Sequence, residues 1–241
     1  MIVNVSSEGW EIIYQRAHGL LAVQLAHNWQ DNLRPKHWIE TLAAITEHDD
    51  GQEPFRGHQH LTAAGAPKDF TFLEFSLPQA KNVSETSRYK SRWVALLISK
   101  HMSFLYESKR GLDKELDIFL NLQIERQKKW LKELKVTTQQ VEGAYNLLQW
   151  CDRCSLILCK NQIPEDEKAL EVYIGPDQKN YFIKKKVNDA ISVEPWPFQS
   201  DHFEVCVEYR ILKKMVFDND EELAQALDIA TVELKIWKFE K

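Results

Sequence analysis

The sequence predicts an α+β fold: a helical bundle of about five to six helices joined to an antiparallel sheet. Three observations carry that expectation. Apolar residues between about 15 and 160 recur at helical spacing. Beyond residue 165 they fall in short runs rich in β-branched and aromatic side chains. The first residues, "MIVNVSSEGWEII", alternate in the same way around "SSEG", a hairpin turn signal. Both ends of the chain are therefore β, and the economical arrangement pairs them. This divides the chain into a helical core, 15–162, and an antiparallel β region made of 1–14 and 165–241.

The elements follow in order. From Ala17 the period changes, and His18, Leu21, Ala22, Leu25 and Trp29 mark a first helix that ends before Pro35. A second helix is expected over 36–50, stopped by Gly51. Residues 51–90 hold Gly51, Pro54, Gly57, Gly65, Pro67 and Pro78 and read as a long irregular segment, a type more often functional than idle. Helices resume with "SRWVALLISKHMSFLYESK", then 114–134, then "TTQQVEGAYNLLQWCDRCSLILCK" with Thr137 or Thr138 as its cap. Five strands follow, "LEVYIG", "NYFIKKKV", "AISVEPWPF", "HFEVCVEYRIL" and "VELKIWKFE", with a short helix, "NDEELAQALDIA", before the last. The lysines of "IKKKV" read as an exposed strand edge.

Composition narrows the function classes. Apolar content of 44% and charged content of 28% are ordinary for a soluble globular chain long enough to bury a sizeable core. A net charge of -5 offers no basic stripe for displacing phosphate counterions, so nonspecific nucleic-acid binding is not expected. The start of the chain has no signal-peptide pattern, and the longest apolar run, "WVALLI", is too short to span a bilayer. A cytoplasmic location with reduced cysteines is expected, and no membrane partner. Three of the four cysteines, Cys151, Cys154 and Cys159, lie together, but a single CxxC lacks the second pair of a structural zinc site. They read as buried core thiols, with a zinc or redox role as the weaker alternative.

The informative residues are polar groups on faces that should be buried. His18 continues the apolar stripe of the first helix. Asp49 follows Leu42 and Ile45 on the second, with His48 beside it. His101 lies one turn after Leu97 and Ile98, and Asp152 falls in the row of Val141, Tyr145, Leu148, Leu156 and Cys159. A carboxylate in an apolar stripe costs several kcal/mol unless it meets a cation or hydrogen-bond donors, and no inward Lys or Arg is evident nearby. A divalent cation would satisfy all these groups together, and the N/O ligand set suits Zn, Mn or Fe better than Ca. Each group also has a plainer reading. A lone histidine on an apolar face is more often a satisfied core residue, and Asp152 could accept from a tyrosine or backbone amides. "HDDG" could be a helix end, although aspartates there oppose the helix dipole. His58 and His60, in "RGHQH", could be extra ligands or substrate contacts or simply exposed loop residues; His27, His37 and His202 read as structural.

The order His18, His48-Asp49, Asp152 on successive helices resembles the H…HD…D pattern of HD-domain metal-dependent phosphohydrolases, carried by "LAAITEHDDG" and "LQWCDRCSLIL" and covering about residues 15–160. More closely, the chain resembles an uncharacterised bacterial family of unknown function through "QRAHGLLAVQLAHNW", "EHDDG", "ISKHMSFLY", "CDRCSLILC" and "PWPF". The HD resemblance implies an HD-like bundle and hydrolysis of a small phosphate ester or nucleotide by a metal-activated water. His18, His48, Asp49 and Asp152 would hold a first divalent ion. Asp49 could bridge to a second that is completed by His101 and by His58 or His60, and Asp50 is a candidate base. The phosphate-contact lysine usual shortly after the HD pair is missing, since Lys68 lies far along a loop. Arg56, Lys100 or Arg92 would take its place as substrate contacts. Gln52 stands where the close family carries an aromatic. The alternative is a non-catalytic module using the same pocket for a metal or regulatory ligand.

Overall fold

The computed structural model describes residues 1–50 and 60–241. The N-terminal hairpin forms as expected, β1 (Ile2–Ser6) against β2 (Gly9–Ile13). Gly9 is required at its turn: its φ is 140°, and a Cβ there would lie 2.1 Å from the Leu212 carbonyl oxygen. That close approach brings β2 beside β6 (His202–Leu212), with Trp10 opposite Leu212. The remaining strands are β3 (Leu170–Ile174), β4 (Asn180–Lys185), β5 (Ile191–Glu194) and β7 (Val232–Glu240).

The seven strands form one curled sheet in the order β1-β2-β6-β7-β5-β4-β3. The expectation of a purely antiparallel sheet is corrected here, because β5 and β7 run parallel, meeting at Ile191 and Phe239. The cause is an insertion. The strand β7 lies between β6, which it opposes in direction, and β5, which the chain left before reversing into β6. The reading of "IKKKV" as a sheet edge is also corrected, since β4 is interior and β1 and β3 are the outermost strands. Lys184 and Lys185 instead pair with Glu194, Glu165 and Asp189 on an exposed face.

Among the described residues there are seven α-helices: α1 (Gln15–His27), α2 (Trp38–Glu47), α3 (Leu77–Ser87), α4 (Arg92–Tyr106), α5 (Lys114–Leu134), α6 (Thr138–Cys159) and α7 (Asp220–Ile229). Thr137 caps α6 through a reciprocal pair with Gln140, which satisfies two otherwise unpaired donors. α2 is shorter than expected. His37 precedes it with a φ of 57°, and His48 begins its exit turn; the expected stop at Gly51 lies outside the described residues. α3 interrupts the stretch expected to be irregular. Its buried face is small and mostly weakly apolar (Ala80, Val83, Ser84, Ser87), and Pro78 sits in its first turn, where a missing N–H costs nothing.

α1 and α6 lie on the sheet, against β6 and β3. α2 and α4 pack on them from the other side, and α3 and α5 cover α4. One apolar cluster runs through all these layers. At its centre Trp29, Trp150, Tyr181 and Phe198 meet edge to face, the two tryptophan rings 4.8 Å apart. Truncating either fully buried tryptophan would cost about 3–5 kcal/mol. A second cluster seats Leu223 and Leu227 of α7 on Ile12, Leu212 and Phe217. α1 also completes the β6 ladder: the side chain of Gln24 accepts from the Cys206 N–H and donates to its carbonyl, both at 2.9 Å.

Candidate metal centre

Four helices converge where the buried polar residues meet. α1 supplies His18, the end of α2 supplies His48 and Asp49, α4 supplies His101 and α6 supplies Asp152. The three imidazoles are buried, at 0%, 1% and 1% exposure for His18, His48 and His101. Asp49 and Asp152 keep 28% and 16% of their side chains exposed, so the cluster opens to solvent on its carboxylate side.

The backbone settles which imidazole nitrogens carry hydrogen. His18 Nδ1 donates to the Gln15 carbonyl, one helical turn back, and His48 Nδ1 donates to the Ile45 carbonyl at 2.7 Å. Both acceptors are carbonyls, so both Nδ1 atoms are protonated, and a neutral ring then presents a lone pair at Nε2. The two Nε2 atoms face each other at 3.2 Å. Asp152 Oδ1 lies 3.1 Å from His48 Nε2 and 3.5 Å from His18 Nε2, while Asp49 Oδ2 lies 3.6 Å from His18 Nε2. Three electron-pair donors, His18 Nε2, His48 Nε2 and Asp152 Oδ1, thus face one another with Asp49 beside His18, an arrangement that is repulsive unless a proton or a cation sits among them.

The potential ligand atoms fall into two groups, His18 with His48 and Asp152, and His48 with Asp49 and His101, each within 4.8 Å. His101 Nδ1 is buried and has no hydrogen-bond partner. Burial opposes the charged form of His48, but Asp152 and Asp49 outweigh it and raise its pKa to about 10. Burial and the neighbouring His48 push His101 down to about 4. Burial acts against both carboxylates, yet the imidazoles win: Asp152 is held well below the usual range and Asp49 is lowered as well.

Gln15 also joins the cluster, and the sequence reading missed it. Its amide Nε2 donates to Asp49 Oδ2 at 3.0 Å while its carbonyl holds His18. Its position three residues before His18, on the same face of α1, was the available signal. Also missed was the lining of a narrow pocket beside His48 and Asp49, formed by Gln79, Ala80 and Val83 of α3 with Met102 and Tyr106 of α4. Burial and the Asp49 charge push the Tyr106 hydroxyl up to about 12.

Other predicted residues lie apart from both ligand groups. Asp50 faces Arg16, which donates to its carbonyl at 2.8 Å. The backbone N–H of His60 donates to Asp220 at the start of α7. The Lys100 ammonium sits over the Tyr145 ring, 5.5 Å from its centroid, and Arg92 pairs with Glu133 at 2.7 Å. His58, Arg56 and Gln52 lie outside the described residues. Cys151, Cys154 and Cys159 are free thiols in the apolar interior, and burial raises the pKa of each.

The family model described as a protein of unknown function, DUF3891, matches residues 1–214. The chain belongs to that family. All five clustered residues of this DUF3891 chain fall inside the match, which ends just after β6. The match carries no HD-domain assignment. No curated protein and no solved structure matches the chain. Among the described residues of the DUF3891 chain, no helix is long and apolar enough to cross a membrane.

Proposed function

We propose that the cluster binds a divalent transition metal, Zn, Mn or Fe, and that the protein is a cytoplasmic hydrolase of a small phosphate ester or nucleotide. The observation that carries this reading is the pair of Nε2 atoms facing each other at 3.2 Å, each ring fixed through its Nδ1 by a backbone carbonyl. Metal-ligating histidines are typically oriented through their second nitrogen in this way. The unpartnered Nδ1 of His101 adds a further donor without another use in the fold. The residues present fit an ion with imidazole and carboxylate ligands.

His48 has only one nitrogen to offer, because its Nδ1 is committed to Ile45. It therefore serves one ion. His18, His48 and Asp152 would hold that ion, and Asp49 and His101 would offer ligands to a second. A bound metal of this kind lowers the pKa of a coordinated water toward about 7 and offsets phosphoryl charge. Gln15 orients Asp49, while Tyr106 and Gln79 shape the approach.

One observation favours the non-catalytic alternative, a metal- or ligand-binding regulatory module. Among the described residues the pocket lining contains no Lys or Arg to meet a phosphate. Protein purified without added metal or chelator should contain about one to two transition-metal ions per chain, and Asp49→Ala and Asp152→Ala should lower that content. Metal-loaded wild type should hydrolyse p-nitrophenyl phosphate or its bis ester. Metal without turnover supports the regulatory reading, whereas a protein that neither carries nor takes up Zn, Mn or Fe overturns both.

A further inference from the structure

The strand β7 carries an unpaired edge. Both backbone groups of Cys206 turn to Gln24, so Cys206 and its β7 partner Ile236 form a non-hydrogen-bonded pair. Alternation along the antiparallel ladder makes Glu208–Leu234 and Arg210–Val232 pairs of the same kind. The N–H and C=O groups of Val232, Leu234 and Ile236 therefore point away from β6. The strand β5 meets β7 only at Phe239, and no other strand among the described residues pairs with 232–236. The same three residues expose their side chains, at 46%, 59% and 54%.

Natural sheets guard such edges with proline, bulges or outward lysines. Residues 232–236 contain no proline, and their register with β6 is unbroken. The one lysine, Lys235, is turned to Glu11 and Asn161 at 2.8–2.9 Å. The edge is also complementary to itself. In an antiparallel pair centred on Leu234, Leu234 faces its own copy and Val232 faces Ile236. All three positions then exchange backbone hydrogen bonds, and one apolar strip forms. Glu233 falls opposite Lys235, so no like charges oppose each other.

We propose that this edge is a homodimer interface, in which β7 of a second copy adds antiparallel to β7 about a two-fold axis at Leu234. The inference is independent of the metal reading. Sedimentation velocity on wild type should show a monomer–dimer equilibrium at concentrations up to on the order of 100 μM. Leu234→Lys places two ammonium groups face to face and should give a monomer with unchanged circular dichroism. Leu234→Glu should behave likewise, and mixing the two variants should restore a dimer. A wild type that stays monomeric, a dimer that survives Leu234→Lys, or a mixture that fails to reassociate overturns the proposal.

Discussion

His48 lies within reach of two carboxylates, and its protonation links the site to pH. Its folded pKa is raised to about 10 from 6.5, so in metal-free protein its stabilisation is complete below 6.5 and fades as pH climbs toward 10. His101 is lowered to about 4, so the folded state resists its protonation and stability falls as pH drops from 6.5. The lowered Asp152 contributes above the ordinary carboxylate range and is lost in acid. Chelator-treated protein should therefore melt at its highest temperature near pH 6.5, and a melting temperature rising steadily from pH 6.5 to 10 would contradict the His48 assignment. Metal uptake must free the Nε2 lone pair, so calorimetry in buffers of different ionisation enthalpy should show proton release. Gln15→Ala should weaken metal binding about 10–100-fold while keeping the backbone carbonyl that orients His18; unchanged affinity in a metal titration would reduce Gln15 to a packing residue. At this scale the sequence was informative where charge met an apolar row, as at His18, Asp49, His101 and Asp152. Gln15 escaped because a neutral amide leaves no such conflict to notice.

Between elements, the crossing of α1 and α2 sets the spacing of the two facing rings. Gly19 lies next to His18, and a Cβ there would come within 2.4 Å of the Thr46 carbonyl oxygen, two residues before His48. Gly19→Ala should force the helices apart, costing about 1–3 kcal/mol in urea unfolding, and should weaken metal affinity as well. Stability lost with affinity retained would show that the rings tolerate the shift. α5 and the C-terminal strands were legible because long periodic segments leave little ambiguity. α3 was not, because its buried face of Ala80, Val83, Ser84 and Ser87 reads as turn composition and Pro78 reads as punctuation. The pocket beside Asp49 was hidden with it, since α3 forms one of its walls.

Across the whole molecule, one apolar cluster joins the helices to the sheet, and the candidate ligands come from α1, α2, α4 and α6. Unfolding any of these four elements scatters the ligands, so metal at about 100 times its Kd should add roughly 2.7 kcal/mol to global stability. Denaturant titrations with and without metal would measure this, and Asp152→Ala should erase the difference. That both chain ends join one sheet could be read from their shared alternation. The parallel contact of β5 with β7 could not, because sequence order does not show a late strand slotting between two earlier ones. The spread of the ligands also bears on biosynthesis. A ribosome delivers His18 early and Asp152 on the order of ten seconds later, so a growing polypeptide can assemble only a fragment of the cluster. On the proposed reading, capture of an ion by His18, His48 and Asp152 would wait until the sixth helix has been made, and the order of the chain would set its timing.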